Sequence, residues 1–126
     1  MPHIKAPYHS DIEVHKCHQA SLAIATVSLE FGLVEIDLTH PSKGSRRLRF
    51  VRQVAMYLLH VVYEMNHTHI GKLFSKDRST VSHACKVVEN SRDDGVFDMK
   101  LIRLENFLRQ APRPVSLHDF TDGLAA

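Results

Sequence analysis

Residues 70–85 read Ile-Gly-Lys-Leu-Phe-Ser-Lys-Asp-Arg-Ser-Thr-Val-Ser-His-Ala-Cys. Ile70, Leu73 and Phe74 stand at helical spacing, and so do Val81, Ala84, Cys85 and Val88. Steps of three and four put each set on one helix face. Between the two sets, Ser75, Lys76 and Asp77 lack any apolar side chain and fit a turn. The spacing predicts a short helix over 68–74 with Thr68 as N-cap, then a turn. A second helix follows from Arg78 or Ser79 to Ser91. Its polar side carries Arg78, Ser79, Ser82, His83, Lys86 and Glu89.

Upstream, Leu48, Val51, Val54, Ala55, Leu58, Leu59, Val62 and Met65 make a broad apolar stripe, predicting a helix over 47–65. Arg46, Arg49, Arg52 and Gln53 cluster near its start, away from the centre of the stripe, and Asn66 and His67 interrupt it. The run Thr-His-Pro-Ser-Lys-Gly-Ser at 39–45 is a loop by composition, and 34–38 fits a turn of helix packed through Val34 and Leu38. A long first helix over 11–31 has Asp11 as N-cap and Gly32 as C-cap, with Ile12, Leu22, Ala23, Ala25 and Leu29 sharing one side. Downstream, a last helix over 97–108 would turn Phe97, Leu101, Leu104, Phe107 and Leu108 inward, after a solvated Asp93-Asp94 loop. Residues 1–10 read as an extended lead. Residues 111–126 begin Ala-Pro-Arg-Pro, cannot continue a helix, and read as a flexible tail after a domain over 11–110. The expected fold is all-α, a compact Trp-repressor-like bundle of about five helices around the 68–91 pair.

The 126 residues suffice for one modest core, and the formal charge of +2 says little by itself. Its distribution says more. Residues 43–86 hold nine basic side chains (Lys43, Arg46, Arg47, Arg49, Arg52, Lys72, Lys76, Arg78, Lys86) against Glu64 and Asp77. The rest of the chain is net acidic. A basic run is often only a solvated face, and short helix pairs occur in domains that bind no nucleic acid. Here the two coincide, giving an electrostatic footprint for nucleic acid.

A helix-turn-helix lays its second helix in the major groove and needs small or donor-bearing residues at that helix's start. Arg78 can fork onto guanine O6 and N7, and the Ser79 and Thr80 hydroxyls can reach a base edge or a phosphate. The Thr80 methyl suits a thymine methyl. Ser82 and His83 lie one turn further in. Free amides at the helix start suit a phosphate. Gly71 and Ala84 are small where two helices cross closely. The candidate base readers are therefore Arg78, Ser79, Thr80, Asp77, Ser82 and His83. Lys43, Arg46, Arg47, Arg49, Arg52, Gln53, Lys72, Lys76 and Lys86 are the candidates for backbone phosphates or the minor groove.

Three blocks carry a family resemblance: Arg52-Gln53-Val54-Ala55-Met56-Tyr57-Leu58-Leu59, Ile70-Gly71, and Lys76-Asp77-Arg78-Ser79-Thr80-Val81-Ser82-His83-Ala84-Cys85. Together they resemble the C-terminal DNA-binding domain of the bacterial chromosomal replication initiator DnaA, over about residues 12–108. The resemblance implies that Asp77, Arg78, Ser79, Thr80 and His83 occupy positions that read an asymmetric nine-base-pair box. It also implies that a basic loop residue enters the minor groove, with Lys43, Arg46 and Arg47 as the contenders. Three departures stand out. The turn is one residue shorter than the family's and lacks glycine, the signature His is Arg78, and no GxxxxGK[ST] loop is present. The resemblance therefore implies a stand-alone relative of the DNA-binding module without the ATPase, whose preferred box differs from the initiator's.

Other chemistry is poorly supported. Cys17 and Cys85 cannot make a disulfide framework and fit reduced, buried or half-buried thiols in a cytosolic protein. The expected location is the cytoplasm, in association with the nucleoid. The longest uncharged run, 17–29, is too short and polar to span a bilayer, and no export signal is visible. His15 with His18, and His67 with His69, lack a fourth ligand at metal spacing, so neither metal nor cofactor is expected. Ser82 and His83 lack an acid partner, which argues against an enzyme. The reading is a sequence-specific double-stranded DNA-binding protein acting as a transcriptional regulator. Its alternatives are a competitor or modulator of the replication initiator at its boxes, and an interaction adaptor with a degenerate DNA surface. A second copy of the chain and replication or transcription proteins are the further candidate partners.

Overall fold

The computed structural model describes residues 7–33 and 46–111, with side chains from residue 15 onward. The expected turn over 34–38, the loop over 39–45 with Lys43, and residues 112–126 lie outside the described residues. Five helices follow in order: α1 (Pro7–Phe31), α2 (Arg46–Tyr63), α3 (His67–Phe74), α4 (Arg78–Ser91) and α5 (Gly95–Gln110). The described residues form an all-α bundle containing a helix-turn-helix in α3–α4. No described helix is long and apolar enough to cross a membrane.

Helix α1 starts at Pro7, earlier than the expected cap at Asp11. Proline is well suited to a helix start, because its missing N–H has no intrahelical partner there and its φ is already helical. The helix ends as expected at Gly32, whose φ of +69° lies in the left-handed region that glycine adopts without a steric penalty. The Leu33 N–H then donates to the Ser28 carbonyl at 2.8 Å.

Ala20, Ala23, Ile24 and Val27 bury one side of α1, and Leu29, expected with them, is 84% exposed. Two residues past Val27 is about 200° around the helix, so Leu29 points away from the core. The same arithmetic corrects α5. Leu101, Leu104 and Leu108 are buried, while Phe107, one 100° step from Leu108, is 55% exposed.

Helix α2 is the spine, packing against every other described helix. Val51, Val54, Ala55, Leu58 and Leu59 are buried as the stripe predicts, with Leu48 and Val62 half-buried. Met56 and Tyr57 are buried as well, because neighbours cover the helix on more than one side. It ends at Tyr63 with Glu64 in the left-handed region, φ 54°, and the buried Met65 donates its N–H back to the Leu59 carbonyl. His60 donates its Nδ1 proton to the Met65 carbonyl at 2.9 Å, closing the same turn.

Asn66, not Thr68, caps α3: its side-chain oxygen accepts the His69 N–H at 2.8 Å. His67, expected to interrupt structure, is instead the first residue of the helix.

Candidate nucleic-acid interface

The α3–α4 turn is built from the main chain. Ser75 closes α3 in the left-handed conformation, φ 57°, the place where glycine is more usual. Lys76 then donates its N–H to the Gly71 carbonyl at 2.8 Å. That approach is why Gly71 carries no side chain: a Cβ there would collide with the Lys76 carbonyl oxygen. The close contact expected at Gly71 is thus with the turn preceding α4.

Asp77 follows in extended conformation at the N-cap position, and its carbonyl accepts the Thr80 and Val81 amides at 3.0 and 3.2 Å. Its carboxylate makes no capping bond. The exposed carboxylate and the exposed Arg78, Ser79 and Thr80 therefore stand together at the start of α4. Ser82, His83 and Lys86 continue the same exposed side, while Val81, Ala84 and Val88 are buried beneath it and Cys85 is half-buried. The helix thus divides as its spacing predicts, with an apolar side locked to α2 and α3 and a donor-rich side left open.

His67 joins this surface, and the sequence reading missed it. A depression of about 410 Å³ is lined by His67, Arg78, Ser79 and Ser82. The available signal was Asn66: read as the cap, it places His67 in the first turn of α3, facing the start of α4. The His67 ring lies 4.4 Å from that of His60, and its Nε2 is 3.9 Å from Cys85 Sγ. Partial burial, with help from His60 and Arg78, lowers the His67 pKa below the usual histidine range. Burial, and secondarily Glu89, pushes the Cys85 thiol up to about 11, so it is a protonated packing group near neutral pH.

The basic side chains divide into several situations. Arg46, Arg49, Lys72 and Lys86 are exposed, and Lys76 and Gln53 are half-buried. Arg47 is exposed but donates to the Phe31 carbonyl at 2.8 Å, serving the C-terminal end of α1. Arg52 is 7% exposed, and burial together with Arg49 lowers its pKa. Neighbouring structure covers it, so little of it is presented to a phosphate. Lys43 lies outside the described residues. Among the described residues, no three His, Cys, Asp or Glu side chains converge to hold a metal ion.

The far end of α4 is fixed differently. Arg92 donates to Asp98 at 2.5 Å, to Glu105 at 2.8 Å and to the Tyr57 hydroxyl at 2.9 Å. Burial would lower the Arg92 pKa, but bonds to Asp98, Tyr57 and Glu105 outweigh it and raise it above the ordinary arginine value. One guanidinium therefore joins the end of α4 to α2 and α5.

Residues 21–88 match the family described as the bacterial dnaA protein helix-turn-helix. That span runs from the middle of α1 to the last buried residue of α4. Among curated relatives, the chain is 32% identical over 79 residues to the chromosomal replication initiator protein DnaA of Bacteroides thetaiotaomicron, covering 61% of this chain and 17% of that protein. It is 35% identical over 72 residues to the protein of the same name from Bifidobacterium animalis, covering 56% and 12%. For that of Lachnoclostridium phytofermentans the identity is 36% over 69 residues, covering 54% and 15%. The chain therefore spans less than a fifth of the length of these relatives.

Proposed function

The chain belongs to the bacterial DnaA helix-turn-helix family, and on that premise we propose that it binds double-stranded DNA sequence-specifically, as a transcriptional regulator. The observation that carries the reading is the start of α4. Arg78, Ser79 and Thr80 are exposed together at the start of a helix whose opposite side is sealed into the core. In this reading α4 enters the major groove in the manner of a Trp-repressor-like helix-turn-helix. Arg78, Ser79 and Thr80 address base edges, with Asp77, Ser82 and His83 bordering them. Arg46, Arg49, Lys72, Lys76 and Lys86 supply phosphate contacts and a salt-dependent affinity. Arg52 is left out of that set, because it is already buried in the free protein.

Selection from a random duplex pool, followed by titration at two salt concentrations, tests the proposal. A defined preferred sequence and a steep salt dependence are expected. Arg78→Ala should relax the preference at one base pair by about 1–3 kcal/mol, as loss of a bidentate contact does. Lys72→Ala should instead weaken all sequences and lower the salt slope by about one. No binding to any duplex at low salt would overturn the reading. Recovery of an initiator-type box would replace independent regulation by competition at the initiator's sites. Arg78 stands where the family's signature His is expected, and it favours the first outcome.

A further inference from the structure

Arg78, Ser79 and Ser82 line the depression at the start of α4 and belong to the surface proposed above for DNA; the fourth lining residue is His67. We propose that His67 is itself a DNA contact, whose imidazole takes up a proton as the duplex binds and holds a backbone phosphate in this depression. The inference rests on the DNA-binding reading and adds to it a proton-linked contact from α3.

The lining selects the ligand. It consists of two serine hydroxyls, a guanidinium and an imidazole around a volume of about 410 Å³, and no carboxylate belongs to it among the described residues. A phosphate oxygen accepts a hydrogen bond from each of these four groups, so the depression suits an anion and not a cation. Ser79 and Ser82 stand three residues apart and are neighbours along α4. Arg78 is exposed, so its fork can reach a base edge while its charge still acts on the depression.

The surroundings of His67 select the protonation step. From α2 comes His60, whose ring lies 4.4 Å away and whose Nδ1 is engaged by the Met65 carbonyl at 2.9 Å. From α4 come the Arg78 charge and the Cys85 thiol, whose sulfur is 3.9 Å from His67 Nε2. Glu89, one turn further along α4, acts on Cys85, and His69 and Lys72 follow on α3 itself. Burial, His60 and Arg78 all oppose a charge on the His67 ring, which therefore stays neutral in the free protein near neutral pH.

A backbone phosphate brings to this ring the negative charge that the groups acting on it lack. Protonation makes both ring nitrogens donors, whichever neutral tautomer precedes it, and adds a positive charge beside the phosphate. An adjacent opposite charge favours the charged form, so DNA raises the affinity of His67 for a proton. By linkage the proton raises the affinity of the protein for DNA by the same factor.

Titration of a mixed-sequence duplex at fixed salt, at pH 7.5 and at pH 5.5, tests this. The parent protein should bind about tenfold more tightly at the lower pH. Most of that gain should vanish in His67→Gln and persist in His18→Gln, which alters an exposed histidine on α1. An NMR titration of the His67 ring in the parent protein needs no variant, and its pKa should be higher in the complex than in the free chain. Equal gains in the parent and His67→Gln, or a ring pKa that DNA leaves unchanged, would overturn the proposal and leave the DNA-binding reading standing. No binding to the duplex at either pH would overturn both.

Discussion

The N-terminal end of α4 is positioned by main-chain contacts, through the Lys76 to Gly71 bond and the Asp77 carbonyl, while its C-terminal end is tied by side chains converging on Arg92. The cap residues repeat the contrast. Asp94, at the start of α5, accepts the Val96 and Phe97 amides, whereas Asp77 leaves its carboxylate out of the cap. Side chains that hold a fold together cannot also meet a ligand. The molecule secures α4 at the end remote from its exposed donors and leaves the donors themselves uncommitted.

The largest expected effect of breaking this arrangement is at the secured end. Arg92→Ala leaves Glu105, 10% exposed, without its principal partner. The pair is neither fully buried nor at the surface, so a loss of about 2–3 kcal/mol is expected, between the two limits. Urea unfolding checks it. At the other end, Gly71→Ala drives a Cβ into the Lys76 carbonyl and should cost about 1–3 kcal/mol, as other overpacked sites do. It should also weaken DNA binding beyond its effect on stability, because the turn that aims α4 must shift. A Gly71→Ala protein with unchanged melting temperature would contradict the account of the turn.

The two caps give a smaller and sharper contrast. Asp94→Ala removes a cap that two amides use and should destabilise by about 1 kcal/mol. Asp77→Ala removes none and should stay within about 0.5 kcal/mol, like an ordinary surface change. Equal losses from thermal unfolding would erase the difference between the ends.

The smallest expected effect is in pH. The His67 pKa in the folded protein is lowered, so the unfolded chain takes up the proton first as pH falls. Full stability holds above about pH 6.5, the unfolded histidine value, and declines below it until the folded pKa is passed. Melting temperatures at pH 7.5 and 5.5 should converge in His67→Gln relative to the parent.

Much of the candidate site was legible because it depends on one helix at a time. Spacing alone places α4 over 78–91, and all six side chains expected on its open side are exposed. Gly32 as a helix stop and the turn over 75–77 follow from local conformational preference in the same way. The misreadings occur where two elements share a residue. Arg52 looks like a surface cation on a helical wheel, yet neighbouring elements cover it. Arg92 attracts no attention in the sequence, because Tyr57 lies 35 residues before it and Glu105 13 after. Leu29 and Phe107 have the composition of core residues, but each points away from the stripe that its helix buries.

Local periodicity, charge placement and motif chemistry by themselves determined the helices around the turn, the open side of α4 and the family. The direction a side chain points from its own helix is a property of 3.6 residues per turn, and one strand of sequence contains it. Whether that direction ends in solvent, in a neighbour or against a distant carboxylate depends on which helix packs there. Only the tertiary structure decided that Arg52 is covered, that Arg92 joins three helices, and that α1 and α5 leave an apolar groove open between them.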